Sequence, residues 1–102
     1  MNYEQWKKKK ISRKEEAGFP DFKSHDEARA YFKEKYGYIF QMMDSFMIDD
    51  QKCYTYKLLF DVEAFLKGQE ELNKNGFTIS EDFMFCCQDI QIMEDGYVHV
   101  VH

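Results

Sequence analysis

Hydrophobic and polar positions change their period several times along this chain, and each change marks an element. After the single proline, in Gly18-Phe19-Pro20-Asp21, the stretch Ser24-His25-Asp26-Glu27 has the form of a capping box. In such a box a serine hydroxyl and a glutamate carboxylate satisfy amides left open at a helix start. Ala28, Tyr31, Phe32, Lys35 and Tyr36 follow at 3.6-residue spacing and Gly37 supplies the stop, which predicts a short one-sided helix. Over 38–48 the period falls to two, with Tyr38, Phe40, Met42, Phe46 and Ile48 on one face and Asp44 as the exception. Asp49-Asp50-Gln51-Lys52 is polar and turn-forming, and beyond it Tyr54, Tyr56, Leu58 and Phe60 alternate again. Two such runs joined by a short link predict a hairpin.

Asp61 can cap a second helix whose apolar stripe is Val62, Phe65, Leu66, Gln69 and Leu72, with Asn75-Gly76 at its end. A third strand is expected over 82–93, leading through Asp95-Gly96, a strong hairpin turn, into a fourth over 97–101. Ahead of the proline, a basic helix is expected over 3–17. Together these predict an α+β fold: a four-stranded, mainly antiparallel sheet of two hairpins, two body helices on one face, and a basic N-terminal helix. Residues 1–20 are read as that helix and its connector, and 21–102 as a single domain, in keeping with a length of 102 residues.

Both strand faces carry apolar residues. The alternate face of the first strand is Ile39, Gln41, Met43, Ser45 and Met47, and that of the third includes Met84, Cys86, Ile90 and Ile92. Helices on one side cannot cover both. The remaining apolar surface suits a protein partner or a second copy in a homodimer. Aromatic residues reach 18% of the chain, more than one small core readily holds, and surplus aromatics supply rigid contact area.

Charge sharpens the picture. Residues 1–14 hold six cations against Glu4 alone, while the remainder holds eight cations against eighteen carboxylates, for a net charge of −5. An acidic body repels phosphate polymers and attracts basic surfaces. In the basic segment Trp6, Lys7, Lys8, Lys9 and Lys10 stand together. As a helix it would dock its aromatics on the acidic body while the lysine stems reach outward. Nucleic acid gripped by this helix is the alternative partner.

Candidate chemistry is sparse. Cys53, Cys86 and Cys87 are odd in number and irregular in spacing, which points to free thiols in a reducing compartment. On a strand, the adjacent Cys86 and Cys87 would face opposite ways, as would His99 and His102, so no metal site is expected. A Cys–His pair would need His99 to lie across the hairpin from Cys86 or Cys87; core cysteines are the preferred reading, with His102 free at the C-terminus. Asp44 and Asp89 interrupt apolar strands and are read as carboxylates at a sheet edge or bulge. The chain has no phosphate-binding loop, dinucleotide fingerprint, nucleophile elbow or metalloprotease motif, so neither an enzyme nor a cofactor is expected. No apolar run approaches the ~20 residues that cross a bilayer, and no signal segment is visible, so a cytoplasmic location with no membrane partner is expected. The chain reads as a small protein-binding or regulatory module, of the inhibitor or immunity type, or as a bacterial or phage accessory protein. Its contact residues are expected at Asp49, Asp50, Glu81 and Asp82, with Trp6 to Lys10 as a second tract.

Overall fold

The structure, a computed structural model, describes residues 3–77 and 81–102, apart from the side chain of Glu81. Its elements in chain order are α1 (Tyr3–Lys9), α2 (Arg13–Ala17), α3 (His25–Tyr36), β1 (Phe40–Ile48), β2 (Gln51–Leu59), α4 (Val62–Asn75), α5 (Glu81–Met84), β3 (Cys87–Met93) and β4 (Val98–Val100). The strands form one antiparallel sheet in the order β1-β2-β3-β4. The α+β fold with its two hairpins is therefore the one the periodicity predicts.

The main core lies between α3 and one sheet face. Ala28 and Phe32 pack there with Phe40, Tyr56, Leu58, Ile90, Ile92 and Val100. Leu59 and Cys87, one residue out of phase with Leu58 and Gln88, turn to the other face. Leu59 forms a second cluster with Phe65 of α4 and Cys86, and Phe83 and Cys87 pack against it. The two body helices thus divide between the faces instead of sharing one. Phe60 alone separates β2 from the Asp61 cap, so α4 starts at the end of the sheet and takes the side that α3 leaves open.

A β-bulge reorganises β1. Met42 pairs with Tyr56 and Asp44 with Thr55, which leaves Met43 as the extra residue. A bulge reverses the facing of everything beyond it. The bulge therefore carries Asp44, Phe46 and Ile48 together off the face of Phe40 and Met42, while Ser45, opposite Tyr54, moves to the α3 side.

The N-terminal helix expected over 3–17 is broken at Ile11. Ser12 caps α2 in a complete capping box with Glu15, a start signal that interrupts the helical run. Ile11 is 2% exposed and belongs to the main core. Its backbone is satisfied by a side chain. Gln88 Oε1 accepts from Ile11 N–H at 2.7 Å, and Gln88 Nε2 donates to the carbonyls of Ile11 at 3.2 Å and Val101 at 3.1 Å. Residues 81–84 also differ from expectation, being helical rather than the start of β3. Phe83 there stacks with Phe65 of α4 at 6.2 Å, and this tertiary contact outweighs the local strand pattern.

Ser24 caps α3, accepting from Glu27 N–H at 3.2 Å; this is the serine half of the expected box, and the reciprocal bond to the Glu27 carboxylate does not form. The first helical residue, His25, stacks on Tyr54 with centroids 3.7 Å apart, and its Nε2 lies 2.6 Å from the buried Tyr56 hydroxyl. Burial lowers the His25 pKa from 6.5, partly opposed by Asp26. The unfolded chain therefore takes up this proton first as pH falls. Stability should hold above about pH 6.5 and decline below it, until folded His25 itself titrates. Urea denaturation at pH 7 and pH 5 checks this, and His25→Gln should flatten the difference. Gln88→Leu should cost roughly 3 kcal/mol, because it strands the backbone polar groups of Ile11 in the core, and the same denaturation curves measure it.

Candidate functional sites on strand β1 and beneath helix α1

Two places bring chemistry-bearing residues together. The first is β1, an edge strand with one neighbour. Behind buried Phe40, it exposes Met42, Met43, Phe46, Met47 and Ile48, between 39% and 62% of each. The bulge distributes these side chains to both faces. Asp44 lies at the bulge, exposed, and its Oδ1 accepts from Ser45 N–H at 2.7 Å; this is the edge-carboxylate reading made from sequence. Asp49 and Asp50 form the β1–β2 turn, both with positive φ (47° and 69°) and both exposed. Aspartate tolerates the left-handed region better than most residues because its short side chain bonds locally.

The remaining expected contact residues lie elsewhere. Glu81 and exposed Asp82 open α5, next to the start of β3, at the opposite end of the β2–β3 ladder from the Asp49–Asp50 turn. The side chain of Glu81 is outside the described residues. Asp82 instead borders a small pocket with Asp61, Glu63, Lys67 and Glu71 of α4. Lys7, Lys8 and Lys9 are exposed on α1, whereas Trp6 is half-buried. Trp6 packs with Tyr3 and Phe85, donates from Nε1 to the Cys87 carbonyl at 2.9 Å, and has Lys10 Nζ 4.6 Å from its ring centroid. The carboxylate of Asp61, which accepts from Ala64 N–H, is held below its usual pKa by that bond and also by the charge of Lys9. The helix docks through its aromatics with its lysines outward, as its pattern suggested.

The second place is a groove of about 420 Å³ beneath α1, walled by Trp6, by Phe65 of α4, by Phe83 and Met84 of α5, and by the C-terminal His102. Lys57, Cys87 and Asp89 line its sheet side. Lys57 and Asp89 are register partners, and their Nζ and Oδ1 lie 2.5 Å apart. Burial disfavours the lysine's charge, but the hydrogen bond and charge of Asp89, together with the Cys87 and Cys86 thiols, outweigh it and raise the pKa. Cys86 precedes β3 at a bend, so strand alternation does not separate it from Cys87. The interaction between the two thiols favours the proton on Cys86 and disfavours it on Cys87. Cys86, fully buried, keeps its proton; Cys87, assisted by Cys86 and then by Lys57, has its pKa lowered despite burial. The buried Cys53 thiol is pushed up by burial.

Of the two C-terminal histidines, His102 departs from expectation and His99 does not. His99 is exposed and pairs with Gln91, two pairs beyond Asp89 and away from the thiols. His102 is not free: its side chain is 7% exposed and its Nε2 meets Glu16 Oε1 at 2.9 Å. Burial opposes ionisation of Glu16, yet the bonds from His102 and Val100 N–H hold its pKa low. Among the described residues, no three His, Cys, Asp or Glu side chains converge as a metal ion would require. Lys57, His102 and Gln88 were missed in the sequence. Gln88 alone left a trace, sharing its parity with Ile90 and Ile92.

No family model, curated protein or solved structure matches this chain. Among the described residues, no helix is long and apolar enough to cross a membrane.

The groove depends on a glycine. A Cβ on Gly68 of α4 would overlap the ring of Phe83. Gly68→Ala gains about 1 kcal/mol of helix propensity, but overpacking of roughly 1–3 kcal/mol opposes it and should prevail. A lower urea midpoint for the variant is the expected result.

Proposed function

We propose that this chain is a small protein-binding module that uses β1 and the Asp49–Asp50 turn to hold a basic, apolar-faced segment of another protein. The observation that carries this reading is the cluster of five exposed apolar side chains on one edge strand, three of them methionine. Large apolar side chains left open along a strand edge mark interaction sites, and methionine adapts to irregular partners through its unbranched, polarisable side chain. Asp44, Asp49 and Asp50 surround it, and no cation occurs between Phe40 and Gln51. That charge pattern favours a basic partner and steers its approach.

A second copy fits less well. It would bring a like surface, with the same three carboxylates and a net charge of −5, against the first, and the bulge at Met43 breaks the regular edge needed for sheet-to-sheet pairing. Nucleic acid held by α1 also has less support, because Trp6 is engaged by Phe85 and the Cys87 carbonyl and is not available to stack on a base. Occlusion of a basic target, in the manner of an inhibitor or immunity protein working in the cytoplasm, is the form of function this surface suits.

A titration of ¹⁵N-labelled protein with an amphipathic leucine–lysine peptide, and with its leucine–glutamate counterpart, tests the reading. The lysine peptide should shift resonances of β1 and the 49–50 turn, with an affinity that falls as salt rises. Asp49→Asn with Asp50→Asn, which respects the positive φ, should slow association several-fold. Shifts confined to other surfaces, or equal binding of the glutamate peptide, would remove the proposal. A dimer abolished by Met47→Lys would reassign the surface to self-association.

A further inference from the structure

The thiol groove is separate from the β1 surface and asks for its own explanation. Cys87 begins β3 at partial exposure, with the buried Cys86 beside it in the chain and Lys57 lining the same groove. The charged and titratable groups around it are Lys57 from β2, Asp89 from β3, and His102 at the C-terminus, while α1, α4 and α5 contribute Trp6, Phe65, Phe83 and Met84. His102 lines the same groove, and its side-chain Nδ1 is buried with no hydrogen-bond partner. Reactive cysteines sit in partly exposed, electropositive surroundings, whereas structural ones are sealed in apolar ones. Cys87 is the partly exposed thiol, with Lys57 and its partner Asp89 lining the same groove, and Cys53 is the sealed one.

We propose that Cys87 is a nucleophilic thiol that reacts with hydroperoxides in this groove, with Cys86 and Lys57 positioning and stabilising its thiolate. The Cys87 sulfur attacks the terminal peroxide oxygen; an S–O bond forms and the O–O bond breaks. Sulfur is oxidised by two electrons to the sulfenic acid, and the departing hydroxide or alkoxide takes a proton from water. The neighbouring Cys86 sulfur can then attack the sulfenic sulfur, forming an S–S bond and releasing water that carries away the Cys86 proton. Adjacent residues lie closer than an unstrained disulfide prefers, so such a bond is readily reduced. Because the Cys87 carbonyl is bonded to Trp6, oxidation registers on α1.

The reduced full-length chain is treated at pH 7 with hydrogen peroxide or cumene hydroperoxide, trapped with dimedone and mapped by peptide mass. Cys87 should be labelled at least on the order of tenfold faster than Cys53, or be found linked to Cys86, which supports the proposal equally. The fluorescence of Trp6, the only tryptophan, should change in step, and Cys87→Ser should abolish both signals. Lys57→Met should slow labelling several-fold with an unchanged circular dichroism spectrum, and Cys86→Ser, which retains a donor, should label faster than Cys86→Ala. Labelling of Cys87 no faster than Cys53, first modification at Cys86, or a folded Lys57→Met variant that reacts at the parent rate would overturn it.

Discussion

The buried side chain of Gln88 is the constraint on which the arrangement of this molecule depends. It is the only polar residue among the fully buried positions of the described core, and it supplies hydrogen-bond partners to the backbone of Ile11 and to the carbonyl of Val101. A buried amide is tolerable only when its polar atoms are matched, and here matching it means inserting the N-terminal segment into the core. With Ile11 held, α1 is carried over the start of β3, where Trp6 meets Cys87, and α2 brings Glu16 to Val100 and His102. The basic tract is consequently a strap across the body. Its cations face solvent while its aromatics form one wall of the groove.

The bulge at Met43 is the second organising feature, and it acts through geometry. Had the register run on unchanged, Phe46 and Ile48 would have joined the α3 face and Asp44 would have pointed toward the core. One extra residue reverses this, placing Asp44 in water and leaving apolar side chains on both sides of an edge strand. The carboxylate guards against indiscriminate strand pairing, while the methionines leave a surface that a chosen partner can cover. In the groove, a comparable asymmetry separates two neighbouring thiols. Cys86 retains its proton through its interaction with Cys87 and then through burial; Cys87, aided by Cys86 and then by Lys57, is the one favoured as thiolate.

Much of the fold was written in local signals. Ser24 with Glu27, Asp61, Gly37, Gly76 and the Asp95-Gly96 turn each act through the backbone of a few neighbouring residues, and such signals can be read without knowing what packs where. Where the reading departed from the structure, a distant contact had intervened. Residues 81–84 turned helical because Phe83 stacks on Phe65 over a bare glycine, and the long N-terminal helix broke where the local Ser12–Glu15 box starts α2 and Gln88, 77 residues from Ile11 in sequence, captures the Ile11 backbone.

The candidate sites divide along the same line. Composition and charge order determined by themselves that the body is acidic, that its N-terminal tract is basic, that apolar residues exceed what one sheet face can bury, and that the Asp49–Asp50 stretch is a turn. Only the tertiary structure decided that the methionines of β1 stay uncovered, that Lys57 stands opposite Asp89, and that His102 is enclosed while His99 is exposed. Periodicity states which side chains share a face of their own element; which face is then covered, and what lies across from it, follows from the register of strands and the seating of helices contributed by remote parts of the chain.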